Sequence, residues 1–165
     1  MRSAICFLCA AMLIGSIGCT SENPRVTTHL NVSAGLTGEL PVDPLQWKVI
    51  TSAINHQNST MFTVFGNNAA VTYARTHAQQ DYPAGSVVSL VTWSQQEDPR
   101  WFGGLIPRAP RSVEFVTVKT GADQHPVYSY ENYEGSPLKK VSAQEGPTPE
   151  GRAAYLLSQR AAVMP

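Results

Sequence analysis

Alternation of apolar and polar residues is the dominant pattern along this chain, and it predicts a series of short β-strands. The alternating or β-rich segments are WKVITSAI (47–54), MFTVF (61–65), SVEFVTVK (112–119) and VYSYENYEG (127–135). Another segment, SVVSLVTW (86–93), is almost continuously apolar, which is typical of a central strand that is buried on both faces. The stretch SQQEDPRWFGGLIPRAP (94–110) is broken by proline and glycine, so we expect an irregular loop there.

Two segments carry the signals of helices. Asn67 or Asn68 precedes AAVTYARTHAQQ and can accept a hydrogen bond from the first turn of a helix. Thr148 offers the same cap before Pro149, and EGRAAYLLSQRAAVM (150–164) is predicted to form the last helix. Together these segments predict an α+β domain, in which about five strands form a mainly antiparallel sheet packed with two helices.

The beginning of the chain has the features of an export signal. Residues 1–19 contain Arg2 followed by an apolar run (4–14) that is too short to cross a bilayer. The run ends in Ser-Ile-Gly-Cys, which resembles a bacterial lipobox whose Cys19 would carry a lipid. Ordinary cleavage near this point is the alternative, because Ser16 stands where that motif usually has leucine.

The predicted lipid sets the expected organisation and location of the protein. Residues 20–46 are polar and interrupted by glycine and proline, so they predict a flexible tether. An ordered domain is then expected at 47–165. The chain is predicted to be exported to the cell envelope and held on the periplasmic side as a lipoprotein, with the membrane as its partner through Cys19.

Charge and cysteine content limit the kinds of partner and of covalent or metal site that the chain could have. The chain has 12 basic and 12 acidic side chains and no Lys/Arg cluster, so nucleic acid is not expected to bind. Cys6 and Cys9 lie in the predicted signal, which leaves Cys19 alone in the mature chain. Disulfides and cysteine-ligated metal sites are therefore excluded from that mature chain. No protein partner is indicated, and a homodimer is left open.

The isolated polar residues do not form a recognisable catalytic or metal-binding motif. The histidines are widely spaced and are expected to be structural or solvated: His29, His56, His77 and His125. Glu97 and Asp98 are adjacent on the predicted loop, where Arg100 can pair with either, so we expect a solvated corner rather than an acid–base pair. No catalytic residue and no metal site is predicted.

A ligand pocket is the best candidate for a site. Glu114 lies mid-strand between Val113 and Phe115, so it either faces solvent or projects into a pocket with a partner. If a pocket exists, we expect Glu114 with Tyr128 or Tyr130 as its polar contents and Trp93 and Phe102 as its apolar walls.

The large aromatic side chains of Trp93, Trp101 and Phe102 allow two interpretations. They form either a core with a lid over the sheet or an aromatic wall around a flat ligand. We expect both Trp93 and Trp101 to be largely buried, with Trp93 on the central strand and Trp101 folded back over the sheet.

The order of these segments resembles the cytochrome P-460 domain family. The resemblance rests on the following segments: WKVITSAIN, TMFTVFGNNAAVTYAR, DYPAGSVVSLVTWSQQEDPRWFGGLIP, SVEFVTV, YSYENYEG and QRAAVMP. They cover most of 47–165, and their most specific part is Tyr-Pro-x-Gly followed by a strand that ends in Thr-Trp. The resemblance implies a five-stranded, largely antiparallel sheet. It also implies that haem-bearing members hold a c-type haem and bind or oxidise hydroxylamine or nitric oxide.

The chain departs from the family at the haem attachment. Haem-bearing members attach haem through a C-terminal Cys-x-x-Cys-His, and some add a lysine cross-link from the sheet. Here the segment AAYLLSQRAAVMP has no cysteine or histidine, and SVVSLVTW has no lysine. We therefore expect no cofactor and a non-catalytic accessory module that binds a small ligand or a partner. The alternative is an oxidoreductase or gas-binding protein with non-covalent haem, for which His56 or His77 would be the axial ligand.

Overall fold

The computed structural model of the protein describes residues 31–77, 81–123, 125–142 and 148–162. The predicted signal, Cys19, His29 and the first part of the predicted tether lie outside the described residues. None of the helices within the described ranges is long and apolar enough to cross a membrane.

A six-stranded antiparallel sheet lies at the centre of the fold, with its strands ordered as in the sequence. The strands are β1 (Lys48–Asn55), β2 (Thr60–Gly66), β3 (Val87–Glu97), β4 (Leu105–Thr120), β5 (Pro126–Glu134) and β6 (Lys139–Val141). The helices are α1 (Asn68–Thr76) and α2 (Pro149–Leu157), and 3₁₀ turns occur at Val32–Ala34 and Pro44–Gln46. The predicted α+β class is confirmed, with six strands instead of about five.

The additional strand is β6, which the apolar–polar pattern does not predict. It has only three residues, two of them lysine, and it pairs with the end of β5 at the edge of the sheet. Short, lysine-bearing edge strands are a common way to prevent further strand pairing, and they leave no periodic apolar signal.

The expected central strand is confirmed, but its partner is longer than predicted. β3 pairs with both β2 and β4. β4 begins at Leu105, inside the segment that was expected to be a loop, and contains Pro107 and Pro110. In this region β4 pairs only with β3. Pro107 and Pro110 have no N–H group to donate, but among the described residues there is no second neighbouring strand here that would need one.

Both helices pack on one face of the sheet, called here the helical face. Asn67 caps α1 by accepting a hydrogen bond from the Ala70 N–H at 3.0 Å, and Thr148 caps α2 in the same way. The buried residues of this face come from both helices, four strands and the segment before β3: Ile50, Val64, Ala70, Val71, Tyr82, Val88, Leu90, Val116, Val118, Ala153, Leu156 and Leu157. α2 ends at Leu157 rather than at 164, since the side chains of Ser158 and Gln159 bond to the Tyr155 carbonyl.

The opposite face is covered by residues 31–46, called here the N-terminal arm. The predicted tether is therefore wrong over these residues, because Ala34, Leu36 and Leu40 pack against the core of this face. The Ala34 carbonyl accepts a hydrogen bond from the Trp93 indole N–H at 2.9 Å. Gly38 bridges to Leu138 with φ +135°, where a Cβ would lie 2.1 Å from the Leu138 carbonyl oxygen. Only glycine permits this approach.

The two tryptophans of the predicted core have different environments. Trp93 is buried, with 5% of its surface exposed, as expected. Trp101 is 72% exposed, so the prediction that it folds back over the sheet is wrong. It lies in the turn after β3, where the hairpin extends beyond the body of the sheet and offers no surface to pack against.

Replacing Trp93 with alanine should lower the free energy of unfolding by about 3–5 kcal/mol, since a large buried side chain and its hydrogen bond to the arm are lost. Trp101→Ala is the matched control and should change it by no more than about 0.5 kcal/mol. Urea unfolding of both variants measures this, and equal losses would contradict the assignment of Trp93 to the core.

Candidate functional site

A polar cluster, formed by Glu114, Tyr130 and Arg152, lies on the helical face. Glu114 is in the middle of β4, opposite Leu90 of β3 and Asn132 of β5, and only 5% of its surface is exposed. The sheet places Tyr130 two residues from Asn132 on the same face. Of the two alternatives for Glu114, facing solvent or entering the interior beside a partner, the structure has the second.

The carboxylate of Glu114 accepts hydrogen bonds on both of its oxygens. The Tyr130 hydroxyl donates to Oε2 at 2.6 Å. Arg152 donates from Nε to Oε2 at 2.9 Å and from Nη2 to Oε1 at 2.6 Å, which is the two-pronged geometry of a strong guanidinium–carboxylate pair. The guanidinium also lies 4.9 Å from the centre of the Tyr155 ring.

The electrostatics of the cluster favour a neutral phenol and a charged guanidinium. Burial raises the pKa of the Tyr130 hydroxyl, and the hydrogen bond and negative charge of Glu114 raise it further. The hydrogen bond to Glu114 is also the main reason that the pKa of Arg152 is raised. The raised pKa values keep Tyr130 neutral and Arg152 charged further into the alkaline range.

The cluster is suited to holding structure together rather than to proton transfer. Both carboxylate oxygens of Glu114 are engaged, and a general base needs an oxygen within reach of a substrate proton. Arg152 lies in the first turn of α2, so the ion pair fastens that helix to the middle of the sheet. One neighbouring atom, Oδ1 of Asn132, is buried without a hydrogen-bond partner.

The predicted pocket is not assembled in the fold. Glu114 and Tyr130 are brought together, but Trp93 packs in the core of the opposite face. Tyr128 is on the strand next to β4 but is 47% exposed, and Phe102 is fully exposed in the turn after β3. A strand sends successive side chains to opposite faces, so walls on one face cannot enclose a carboxylate on the other.

Sequence reasoning missed Arg152, the partner that determines the role of Glu114. The two residues are 38 positions apart, and nothing in the local pattern around either one indicates the other. The one available signal is that Glu114 lies on the same strand face as Val116 and Val118, where a carboxylate needs a cation or a donor.

An apolar groove of about 440 Å³ lies at the end of the sheet where β1 and β2 are joined. Ile54 of β1, Met61 of β2 and Trp93 of β3 are consecutive partners across the strands, so they form its floor. The complete lining is Ser52, Ala53, Ile54, Met61, Phe62, Thr63, Trp93 and Pro107. The hydroxyls of Ser52 and Thr63 are the polar side-chain groups of this lining.

The histidines considered as axial ligands are both on the surface. His56 is exposed in the turn between β1 and β2 and is not part of the groove lining. His77 ends α1, where its ring stacks on Tyr73 at 4.3 Å and its Nδ1 lies 2.7 Å from the Thr76 hydroxyl. Among the described residues, no group of three or more His, Cys, Asp or Glu side chains could hold a metal ion.

The comparison with protein families found a match over the region that contains the sheet. A family model described as cytochrome P460 matches residues 43–149, which is well over half of the chain. The chain belongs to the cytochrome P460 family. The resemblance expected from the sequence is therefore confirmed. No curated protein matches the chain.

The lining of the groove in this cytochrome P460 domain does not fit haem. Iron in haem is held by histidine, cysteine, methionine or tyrosine side chains. The groove lining contains one of these, Met61, and neither an imidazole nor a thiolate. Tyr130 lies on the other face, bonded to Glu114. A thioether is a weak ligand that accompanies a stronger one in cytochromes, so this donor set does not match the group.

The polar cluster generates a prediction about alkaline pH. The pKa of Tyr130 is raised above its ordinary value of 10.0, so between about pH 10 and the folded pKa the unfolded chain loses this proton while the folded chain keeps it. Stability should therefore fall as the pH rises above 10. Tyr130→Phe should make this fall less steep and should also cost about 1–3 kcal/mol at neutral pH through the lost hydrogen bond.

Urea unfolding between neutral and alkaline pH measures both effects. The pKa values of Tyr82 and Tyr133 are also raised by burial, so part of the slope should remain in the variant. Tyr128→Phe removes an exposed phenol from the same strand and controls for the substitution at neutral pH. An unchanged alkaline slope in Tyr130→Phe would show that the Glu114 contact is not maintained in solution.

Proposed function

We propose that this protein is a lipid-anchored cell-envelope module whose cytochrome P460 domain binds a small apolar ligand without covalently attached haem. The domain acts as an accessory binding unit rather than as an enzyme. The ligand occupies the apolar groove, and Cys19 carries the lipid on the periplasmic side. Family membership supports the domain assignment.

The groove is the observation that carries the proposal. Its volume of about 440 Å³ is in the range of small-molecule sites, roughly 300–1,000 Å³. Apolar contact is supplied by Ile54, Met61 and Trp93, and orientation by the hydroxyls of Ser52 and Thr63. This composition suits a largely apolar molecule with one or two hydrogen-bonding atoms.

The position of the groove also supports binding rather than catalysis. It lies on the face of the sheet opposite the Glu114 carboxylate, and no ionisable side chain is present in its lining. Acid–base catalysis needs a titratable group near the reacting atoms. The groove offers rigid walls instead, because its floor is built from three adjacent strands of the sheet.

The fluorescent probe 1-anilinonaphthalene-8-sulfonate should bind in the groove of the purified full chain, and haemin added to the same protein should give no Soret band of ligated iron. Ile54→Asp should weaken probe binding by about tenfold or more, since it places a charge on the apolar floor of the groove. Ile54 is 44% exposed, so the fold should tolerate the substitution.

Val127→Asp is the matched control, because Val127 is 48% exposed on β5 and lies outside the groove lining. It should leave probe binding unchanged. Equal loss in both variants would remove the groove as the site. A haemin Soret shift that is abolished by Met61→Ala or His56→Ala would replace the proposal with a haem-binding function.

A further inference from the structure

The hairpin formed by the end of β3 and the start of β4 extends beyond the rest of the sheet. Its paired residues run from Gln95 opposite Pro107 to Glu97 opposite Leu105. On one side, the ladder between β2 and β3 ends at Thr60 and Ser94, and on the other side the ladder between β4 and β5 ends at Ser112 and Glu134. Residues 95–107, called here the ribbon, therefore project as two strands.

The tip of the ribbon presents two aromatic side chains to solvent. Trp101 is 72% exposed and Phe102 is fully exposed. The turn that carries them is ordered by backbone hydrogen bonds, from Asp98 N–H to the Gly104 carbonyl at 2.8 Å and from Gly104 N–H to the Trp101 carbonyl at 2.9 Å. Adjacent exposed aromatic groups on a well-formed turn are characteristic of a surface that is covered by a partner.

The start of the N-terminal arm lies at the base of the same ribbon. The Asn31 side chain donates a hydrogen bond to the Pro107 carbonyl, and three residues later Ala34 accepts one from Trp93. Cys19 precedes Asn31 by twelve positions in the sequence, so a lipid on Cys19 would hold Asn31 within about 40 Å of the bilayer whatever path the chain takes. Asn31, the first described residue after the predicted anchor, and the aromatic tip thus lie at the same end of the sheet.

The charges near the tip are compatible with lipid headgroups. Arg100 precedes the aromatic pair and Arg108 follows it, while Glu97 and Asp98 lie at the end of β3. Asp98 is paired with Arg100 at 3.6 Å, and the Arg100 side chain is 66% exposed. Tryptophan with nearby arginine is typical of the boundary between headgroups and acyl chains, where the ring is apolar and its N–H remains hydrated.

We propose that the tip of the ribbon, through Trp101 and Phe102, inserts into the surface of the lipid bilayer to which the protein is anchored. The inference rests on the lipid attachment at Cys19 in the proposed function. The position of Asn31 at the base of the ribbon favours the bilayer over a second protein, because the chain leading from Cys19 enters the domain at the end of the sheet that carries the tip. Docking would fix the orientation of the sheet and hold the groove near the membrane surface.

The test uses the lipidated mature chain, which begins at Cys19, reconstituted in vesicles of phosphatidylethanolamine with a minority of phosphatidylglycerol. Brominated acyl chains in these vesicles quench tryptophan that reaches the bilayer. The emission of Trp101, obtained as the difference between the wild-type protein and Trp101→Phe, should be quenched. Phe102→Ser should reduce this quenching by more than about half, because it removes the neighbouring inserted ring. Val127→Ser, at an exposed apolar position away from the tip, should leave it unchanged.

Vesicle flotation of Cys19→Ala measures the anchor separately from the tip. Loss of flotation in Cys19→Ala together with Trp101 quenching in the lipidated protein supports both proposals. If Cys19→Ala still floats with the vesicles and its Trp101 is still quenched, tip insertion is supported and the lipid anchor is rejected. A lipidated protein that floats without Trp101 quenching overturns tip insertion. Tip insertion is also overturned if Trp101 becomes shielded from solvent as the protein concentration rises, with or without vesicles. That result would assign the tip to contact with a second copy of the chain.

Discussion

The ion pair between Glu114 and Arg152 is the constraint that organises this fold. A carboxylate in the middle of a sheet, with 5% of its surface exposed, would be very costly without a cation and a donor. Arg152 comes from α2 and Tyr130 from β5, so satisfying this one side chain requires both elements to dock. The helical face is therefore closed over a polar cluster, and both proposed binding surfaces lie elsewhere, on the opposite face and at the ribbon.

The elements themselves follow from local sequence. Alternation in SVEFVTVK separates Val113 and Phe115 from Val116 and Val118, and these pairs lie in the cores of opposite faces. Asn67 and Thr148 cap their helices because a side-chain oxygen next to a free backbone N–H acts over only a few residues. Such short-range signals were sufficient to predict the class of fold and the position of its central strand.

The features that sequence did not reveal depend on contacts between distant segments. The N-terminal arm has no periodic apolar pattern, and its polar composition predicted a flexible tether. The hydrogen bond that holds it joins Ala34 to Trp93, which is 59 positions further along the sequence. Trp101 is hydrophobic enough for a core, but the ribbon carries it beyond the sheet. The predicted pocket combined Trp93 with Glu114, although the strand pairing sends them to opposite faces. A register must be known before such residues can be assigned to one site.

The most direct test of the structural role of Glu114 is the free energy of unfolding, in urea, of two variants. Arg152→Met alone should lose about 3–5 kcal/mol, because it leaves a buried carboxylate without its cation. The combined variant Glu114→Met, Tyr130→Phe, Arg152→Met should recover most of that loss, because apolar groups of similar volume can replace a buried ion pair. A combined variant as unstable as Arg152→Met would contradict the account, since the charges themselves would then be essential to the fold.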